Sequence, residues 1–385
     1  MQAKYLFDVK ILYLRDYIKN CKRNGKMNQR YNSNNKRQSL LFSSCALVDG
    51  DMYSVTSLKG VPIKISLKTG EISYIDNLIE NDYMMTEDII SGNNEIFILE
   101  QSGHRMLRVD LKRGLNKFYE ISCHEKDWGN YAAYVKYNET IYIFPRYTNY
   151  IVKIDLETDL VKQDFDLYRE MKEDSIRFWC GCCSGDKVWL FQKDKREVVE
   201  YDLETESWIK YVLPLRIISC IHIVKERDVF YILSSEGKVY IWNFKEGDMK
   251  VLADCSGETK EFAFSRIVVT EKNISVLPAM TNDIYQIDKK SGDKRVYHDY
   301  PEHFEYCAPE IWTKYSGYCE DENYYYFAMR SSTFILCINK KNGELKWLTT
   351  LLPSNREYRR VYYKIHYKAD QILDEREWSL IEVLD

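Results

Sequence analysis

The chain has 385 residues, 14% of them aromatic, including 32 tyrosines, and a formal net charge of −4. With only seven prolines and 16 glycines it is not a low-complexity chain, and no span approaches the roughly 20 apolar residues of a membrane-crossing helix. The charge is uneven, with +8 on residues 1–38 and −12 on the remainder.

Residues 1–38 begin with an apolar-rich piece (Tyr5 to Leu14) and run into an Asn- and Lys/Arg-rich stretch. They read as a basic lead-in, and they are the only candidate for nucleic-acid contact, which is not expected because no aromatic residues interleave in a recognisable module. The opening residues contain no apolar run of signal-peptide length. A cytoplasmic protein without a membrane partner is expected, its eleven cysteines mostly free thiols.

From about Leu40 a pattern begins and returns seven times. Its clearest copy is Lys187 to Tyr211, which reads as strand, polar loop, strand, tight turn, strand. Taking Asp202 as an anchor, the equivalents are Ser66, Asp110, Asp155, Asn243, Asp288 and Asn339, spaced 41 to 51 residues apart. Thirteen positions before the anchors stand Tyr53, Phe97, Tyr142, Trp189, Phe230, Ser275 and Tyr326. Four positions after them stand Gly70, Gly114, Asp159, Glu206, Gly247, Gly292 and Gly343, a position where a tight turn demands positive φ.

Each repeat supplies four strands, A to D. Strand A is read at, for example, Leu41–Val48, Ile217–Val224 and Phe264–Thr270. The A–B and C–D turns are short, whereas the D–A connections are long and dissimilar (Asn77–Thr86, Ile121–Ala132, Asp166–Trp179, Asp254–Ala263, His298–Thr313). Sheets apolar on both faces bury them by stacking radially, and ring closure removes long open edges. The expected fold is therefore an all-β, seven-bladed β-propeller over residues 39–352. Residues 353–385 form a C-terminal extension, with a further strand at Tyr358 to Tyr367 and a short helical tail, able to assist ring closure.

Val198 to Leu215 (VVEYDLETESWIKYVLPL) resembles the second half of a kelch repeat, with Tyr201, Asp202 and Trp208 at its spacing. Leu336 to Trp347 (LCINKKNGELKW) resembles the repeat of quinoprotein-type propellers. The glycine doublet of kelch repeats is replaced by Gln192-Lys193 and Pro145-Arg146, and Trp-Asp dipeptides and Asp-boxes are absent. The resemblance implies a divergent propeller and carries over no catalytic residue.

The anchor carboxylates read as turn-forming groups that bond nearby backbone N–H. Cys180, Cys182 and Cys183 read as free thiols, since two thiols on one sheet face do not complete a metal site. His298 and His303 read as part of an exposed loop. No phosphate-binding or dinucleotide glycine pattern occurs, so no cofactor or metal is expected.

The long-loop face carries the function. Nine positions before the anchors lie Arg146, Lys193 and Arg330, and the adjoining connections supply Trp128, Tyr131, Arg177, Trp179 and Trp312, with Phe262 and Tyr306 nearby. Cations beside flat rings suit a protein, a peptide or an acidic glycan. The plainer reading has these rings plugging blade junctions. A different class, an enzyme on a carbohydrate or related small molecule, would draw on Glu87, Asp88, His124, Glu310 and Tyr131 in the central funnel.

Overall fold

The computed structural model describes residues 42–56, 62–75, 86–100, 105–121, 131–146, 149–171, 178–192, 195–215, 217, 220–256, 263–279, 283–297, 299–301, 315–329 and 334–351. The lead-in and the C-terminal extension lie outside them.

Blade 1 holds β1 (Phe42–Val48), β2 (Asp51–Thr56), β3 (Pro62–Ser66) and β4 (Ile72–Tyr74). Blade 2 holds β5 (Thr86–Ser91), β6 (Glu95–Glu100), β7 (Arg105–Asp110) and β8 (Leu115–Glu120). Blade 3 holds β9 (Tyr131–Tyr137), β10 (Thr140–Pro145), β11 (Ile151–Asp155) and β12 (Val161–Asp164), followed by helix α1 (Asp166–Met171). Blade 4 holds β13 (Phe178–Ser184), β14 (Lys187–Gln192), β15 (Glu197–Asp202) and β16 (Trp208–Val212). Blade 5 holds β17 (Cys220–Glu226), β18 (Val229–Ser234), β19 (Lys238–Asn243) and β20 (Asp248–Asp254). Blade 6 holds β21 (Phe264–Val269), β22 (Asn273–Pro278), β23 (Ile284–Asp288) and β24 (Lys294–Tyr297). Blade 7 holds β25 (Tyr315–Glu320), β26 (Tyr324–Met329), β27 (Phe334–Asn339) and β28 (Leu345–Thr349).

Every sheet is antiparallel and runs in chain order, so each blade is one contiguous stretch. Burial follows position in the blade. Second strands such as β6, β14, β18 and β22 are buried on both faces, third strands such as β7 and β15 alternate, and fourth strands such as β8 and β16 are mostly exposed. The sequence dictates this gradient: EIFILE and KVWLFQ offer apolar groups to both neighbours, while LNKFYE and WIKYV offer polar groups outward. Burial between blades produces seven separate apolar cores, one per junction, including a core between blades 7 and 1. The chain is an all-β, seven-bladed propeller.

The ring closes without exchanging a strand. At the seam, Phe42, Ile63 and Ile65 of blade 1 pack with Ala328, Ile335 and Cys337 of blade 7. Leu351 bridges to Glu71, its N–H donating to the Gly70 carbonyl (2.7 Å) while its own carbonyl accepts from Ile72 N–H (3.1 Å).

The anchors are turn formers. The Oδ1 atoms of Asp110, Asp155, Asp202 and Asp288 each accept two backbone N–H groups, two and three residues on, at 2.8–2.9 Å, and Asn339 does the same at 3.0 and 3.1 Å. All seven residues four past the anchor have positive φ, from 55° at Glu206 to 77° at Gly70. Asp159 and Glu206 hold this conformation without being glycine, and each reaches the preceding blade. Asp159 accepts from the Tyr119 hydroxyl (2.7 Å) and pairs with Lys117. Glu206 accepts from the Tyr142 hydroxyl (3.1 Å) and Lys153 (2.8 Å). Cross-blade bonds offset the backbone strain there.

Three sequence expectations are corrected. In blade 5 the loop after β18 is one residue shorter, since Val229 rather than Asp228 faces the anchor Asn243. The structural equivalent of Trp189 is therefore Tyr231, and Phe230, thirteen before the anchor, faces the other side. The first strand of that blade spans Cys220–Glu226 rather than starting at Ile217, because Ile217 packs with Leu213 as a junction plug and Arg227 (φ 55°) makes the turn. The connection after blade 3 opens with helix α1 rather than plain loop, Leu167 being 2% exposed in the blade 3–4 core. The helical C-terminal tail lies outside the described residues.

Candidate binding face

The ends of the second strands and the starts of the first strands meet at the long-loop face. At the blade 3–4 junction, β10 ends at Pro145 and delivers Arg146, while β13 brings Trp179. The Arg146 guanidinium sits 5.3 Å from the Trp179 ring centroid, and both side chains are half-buried. The ring fixes the guanidinium by cation–π attraction.

Gln192 adds to this junction, and the sequence pattern alone did not single it out. It follows Val188 and Leu190 on the same face of β14, and those two belong to the blade 3–4 core. Gln192 is 6% exposed, and neither its amide oxygen nor its amide nitrogen has a hydrogen-bond partner. A buried group left so costs about 1–3 kcal/mol.

Tyr131 is placed differently. It is 4% exposed inside the blade 2–3 core, its hydroxyl donating to the Glu100 carbonyl at 3.5 Å, the role of a junction plug. Lys193, Arg330, Trp128, Arg177, Trp312, Phe262, Tyr306, His124, Glu310, His298 and His303 lie outside the described residues, as does the side chain of Glu87. Asp88 is held on the first strand of blade 2, accepting from Ser44 Oγ and from Ile89 N–H (2.8 Å).

The cysteine cluster is dispersed by the sheet. Cys180 is buried and its Sγ lies 3.1 Å from Cys220 Sγ on blade 5. Burial pushes the Cys220 thiol well up. Cys183 is exposed by area, donates to the Tyr134 carbonyl (3.7 Å), and its thiol is pushed up to about 12 by burial of the sulfur among protein atoms. Among the described residues no group of three His, Cys, Asp or Glu could hold a metal ion.

No family model and no curated protein matches the sequence. Solved structures do. The extracellular domain of a putative hybrid two-component system, BT4673 from B. thetaiotaomicron, is 12% identical with a TM-score of 0.56. That match covers 83% of this chain and 42% of that one. BamB from Moraxella catarrhalis is 10% identical with a TM-score of 0.49, over 77% of this chain and 84% of that one. At 12% identity the likeness to the BT4673 domain shows the fold alone.

Proposed function

We propose that the chain is a cytoplasmic binding propeller that recognises an acidic ligand, a glycan or a peptide on a partner protein, at the blade 3–4 mouth of its long-loop face. The observation that carries this is the Arg146 guanidinium lying over Trp179. An aromatic face accepts the apolar face of a sugar ring or peptide side chain while the guanidinium edge takes a carboxylate. The eight described cysteines are free thiols, which supports a reducing compartment.

Arrays of acidic and neutral glycans and of acidic peptides test the reading. The wild-type protein should retain an acidic class, and more weakly at higher salt. Arg146→Ala and Trp179→Ala should each lose about tenfold or more, the worth of one charge-assisted contact. Equal binding by both variants would overturn the proposal.

A further inference from the structure

Away from the binding face, two thiols from different blades are in contact. Cys180 lies on β13 of blade 4 and Cys220 opens β17 of blade 5. These are the first strands of adjacent blades and belong to separate sheets, so no backbone ladder joins them. Both cysteines belong to the blade 4–5 core, with Trp189, Phe191, Ile217 and Phe230. The Cys180 thiol donates to Cys220 Sγ at 3.1 Å, and the Cys220 thiol donates onward to the His222 carbonyl at 3.9 Å. Neither residue is sealed, Cys180 being 7% and Cys220 8% exposed, which admits a small oxidant more readily than a bulky one.

We propose that Cys180 and Cys220 are an oxidation site, forming a reversible disulfide between blades 4 and 5 on exposure to hydrogen peroxide. One thiol takes an oxygen from the peroxide and becomes a sulfenic acid as the O–O bond breaks, and the first water leaves. The other sulfur attacks the sulfenic sulfur, the S–S bond forms as the S–O bond breaks, and the attacking thiol's proton leaves with the hydroxide as a second water. Two thiols and one peroxide thus give one disulfide and two waters, and the two electrons lost by the sulfurs reduce the peroxide. The balance is the same whichever sulfur is oxidised first.

A disulfide is about 2.0 Å long, so the two sulfurs close by about 1 Å, a movement of side chains rather than of blades. The apolar core favours this product, because a disulfide is uncharged whereas the sulfinate of further oxidation would bury an unpaired anion. Burial holds the Cys220 thiol protonated, which makes the step slow at neutral pH and faster in alkali. Cys182 stands on the same face of β13 and packs against the same core, yet the contact with Cys220 Sγ belongs to Cys180. The pair shares no residue with the Arg146–Trp179 contact and stands independently of the reading given to it.

The test treats the folded full chain with hydrogen peroxide at pH 8, blocks remaining thiols with N-ethylmaleimide in denaturant, and maps tryptic peptides without reduction. Phe178–Lys187 should appear joined to Ile217–Lys225, lighter by two hydrogens than the two peptides together, with the maleimide on Cys182 and Cys183. Dithiothreitol applied to the folded protein should release the pair. Cys180→Ala and Cys220→Ala should each abolish the joined species, and Cys182→Ala should retain it. Should a variant fail to fold, the fragment spectrum of the wild-type species still identifies the bonded sulfur. Absence of the joined peptides in the wild type, a bond mapped to Cys182 or Cys183, its persistence in Cys180→Ala, or oxidation of either cysteine only to sulfinic acid would overturn the proposal.

Discussion

Gly70→Ala should damage the protein more than any other turn glycine, because of where its missing side chain would fall. The φ of Gly70 is 77°, and an alanine held there costs about 1–2 kcal/mol. The same cost applies at Gly247 (φ 70°), where an added Cβ meets nothing within 4 Å. At Gly70 the Cβ would lie 2.2 Å from the Thr349 carbonyl oxygen, a backbone atom of the last blade that cannot rotate away. Relief requires moving the seam, where the Leu351–Gly70 and Ile72–Leu351 bonds are worth about 0.5–1.5 kcal/mol each. The expected losses are about 1–2 kcal/mol for Gly247→Ala and about 2–5 kcal/mol for Gly70→Ala. Gly292→Ala falls between them, its Cβ approaching the Leu252 carbonyl oxygen at 2.6 Å. Urea unfolding followed by tryptophan fluorescence gives the three midpoints at a common slope. Equal midpoints for Gly70→Ala and Gly247→Ala would refute the claim that this contact closes the ring.

Glu206→Ala keeps the positive φ and loses the Lys153 and Tyr142 bonds, so it should cost about 1–2 kcal/mol, whereas Glu206→Gly relieves the backbone and should recover about half of that; equal melting temperatures for the two would contradict the account of that turn. The backbone N–H groups donating to Asp110, Asp155 and Asp288 hold these carboxyls below their ordinary value of 3.8. Their contribution is complete above that value and is lost as pH falls through the lowered native values. Replacing all three by Asn, the residue blades 5 and 7 already use, removes that charged contribution, so it should lower stability at neutral pH and flatten the loss of stability below about pH 4; an unchanged acid profile would count against it. Alkylation of Cys183 by iodoacetamide at pH 8 should lag that of a free cysteine by about a thousandfold despite its exposure, since a thiol near 12 rather than 9.0 forms that much less thiolate, and ordinary reactivity would show the sulfur to be open to water.

The turn lattice was legible because its cause is local. An anchor oxygen bonding the next two free N–H groups and a residue forced to positive φ leave marks at fixed offsets, and those marks located the blades. In blade 5 a loop one residue shorter shifts the register while leaving an aromatic residue thirteen before the anchor, so Phe230 stands where Tyr231 belongs. Asp159 and Glu206 stand where other blades have glycine, and each answers a Lys and a Tyr of the preceding blade. Pairing acids at that position with such residues one repeat earlier would have found them. The Arg146–Trp179 contact was readable as two rim positions on adjacent repeats. Gln192 was not, since its interest lies in lacking partners, which only packing decides.

Because every blade is contiguous and the 7–1 junction repeats the contact between Gly292 and Leu252, the covalent start of the ring is arbitrary. A circular permutant joined across the Gly70–Leu351 seam and opened between Met171 and Phe178 would keep all seven sheets in chain order. Its present seam would then become an interior junction, and the blade 3–4 mouth would become the place where the two ends of the chain meet.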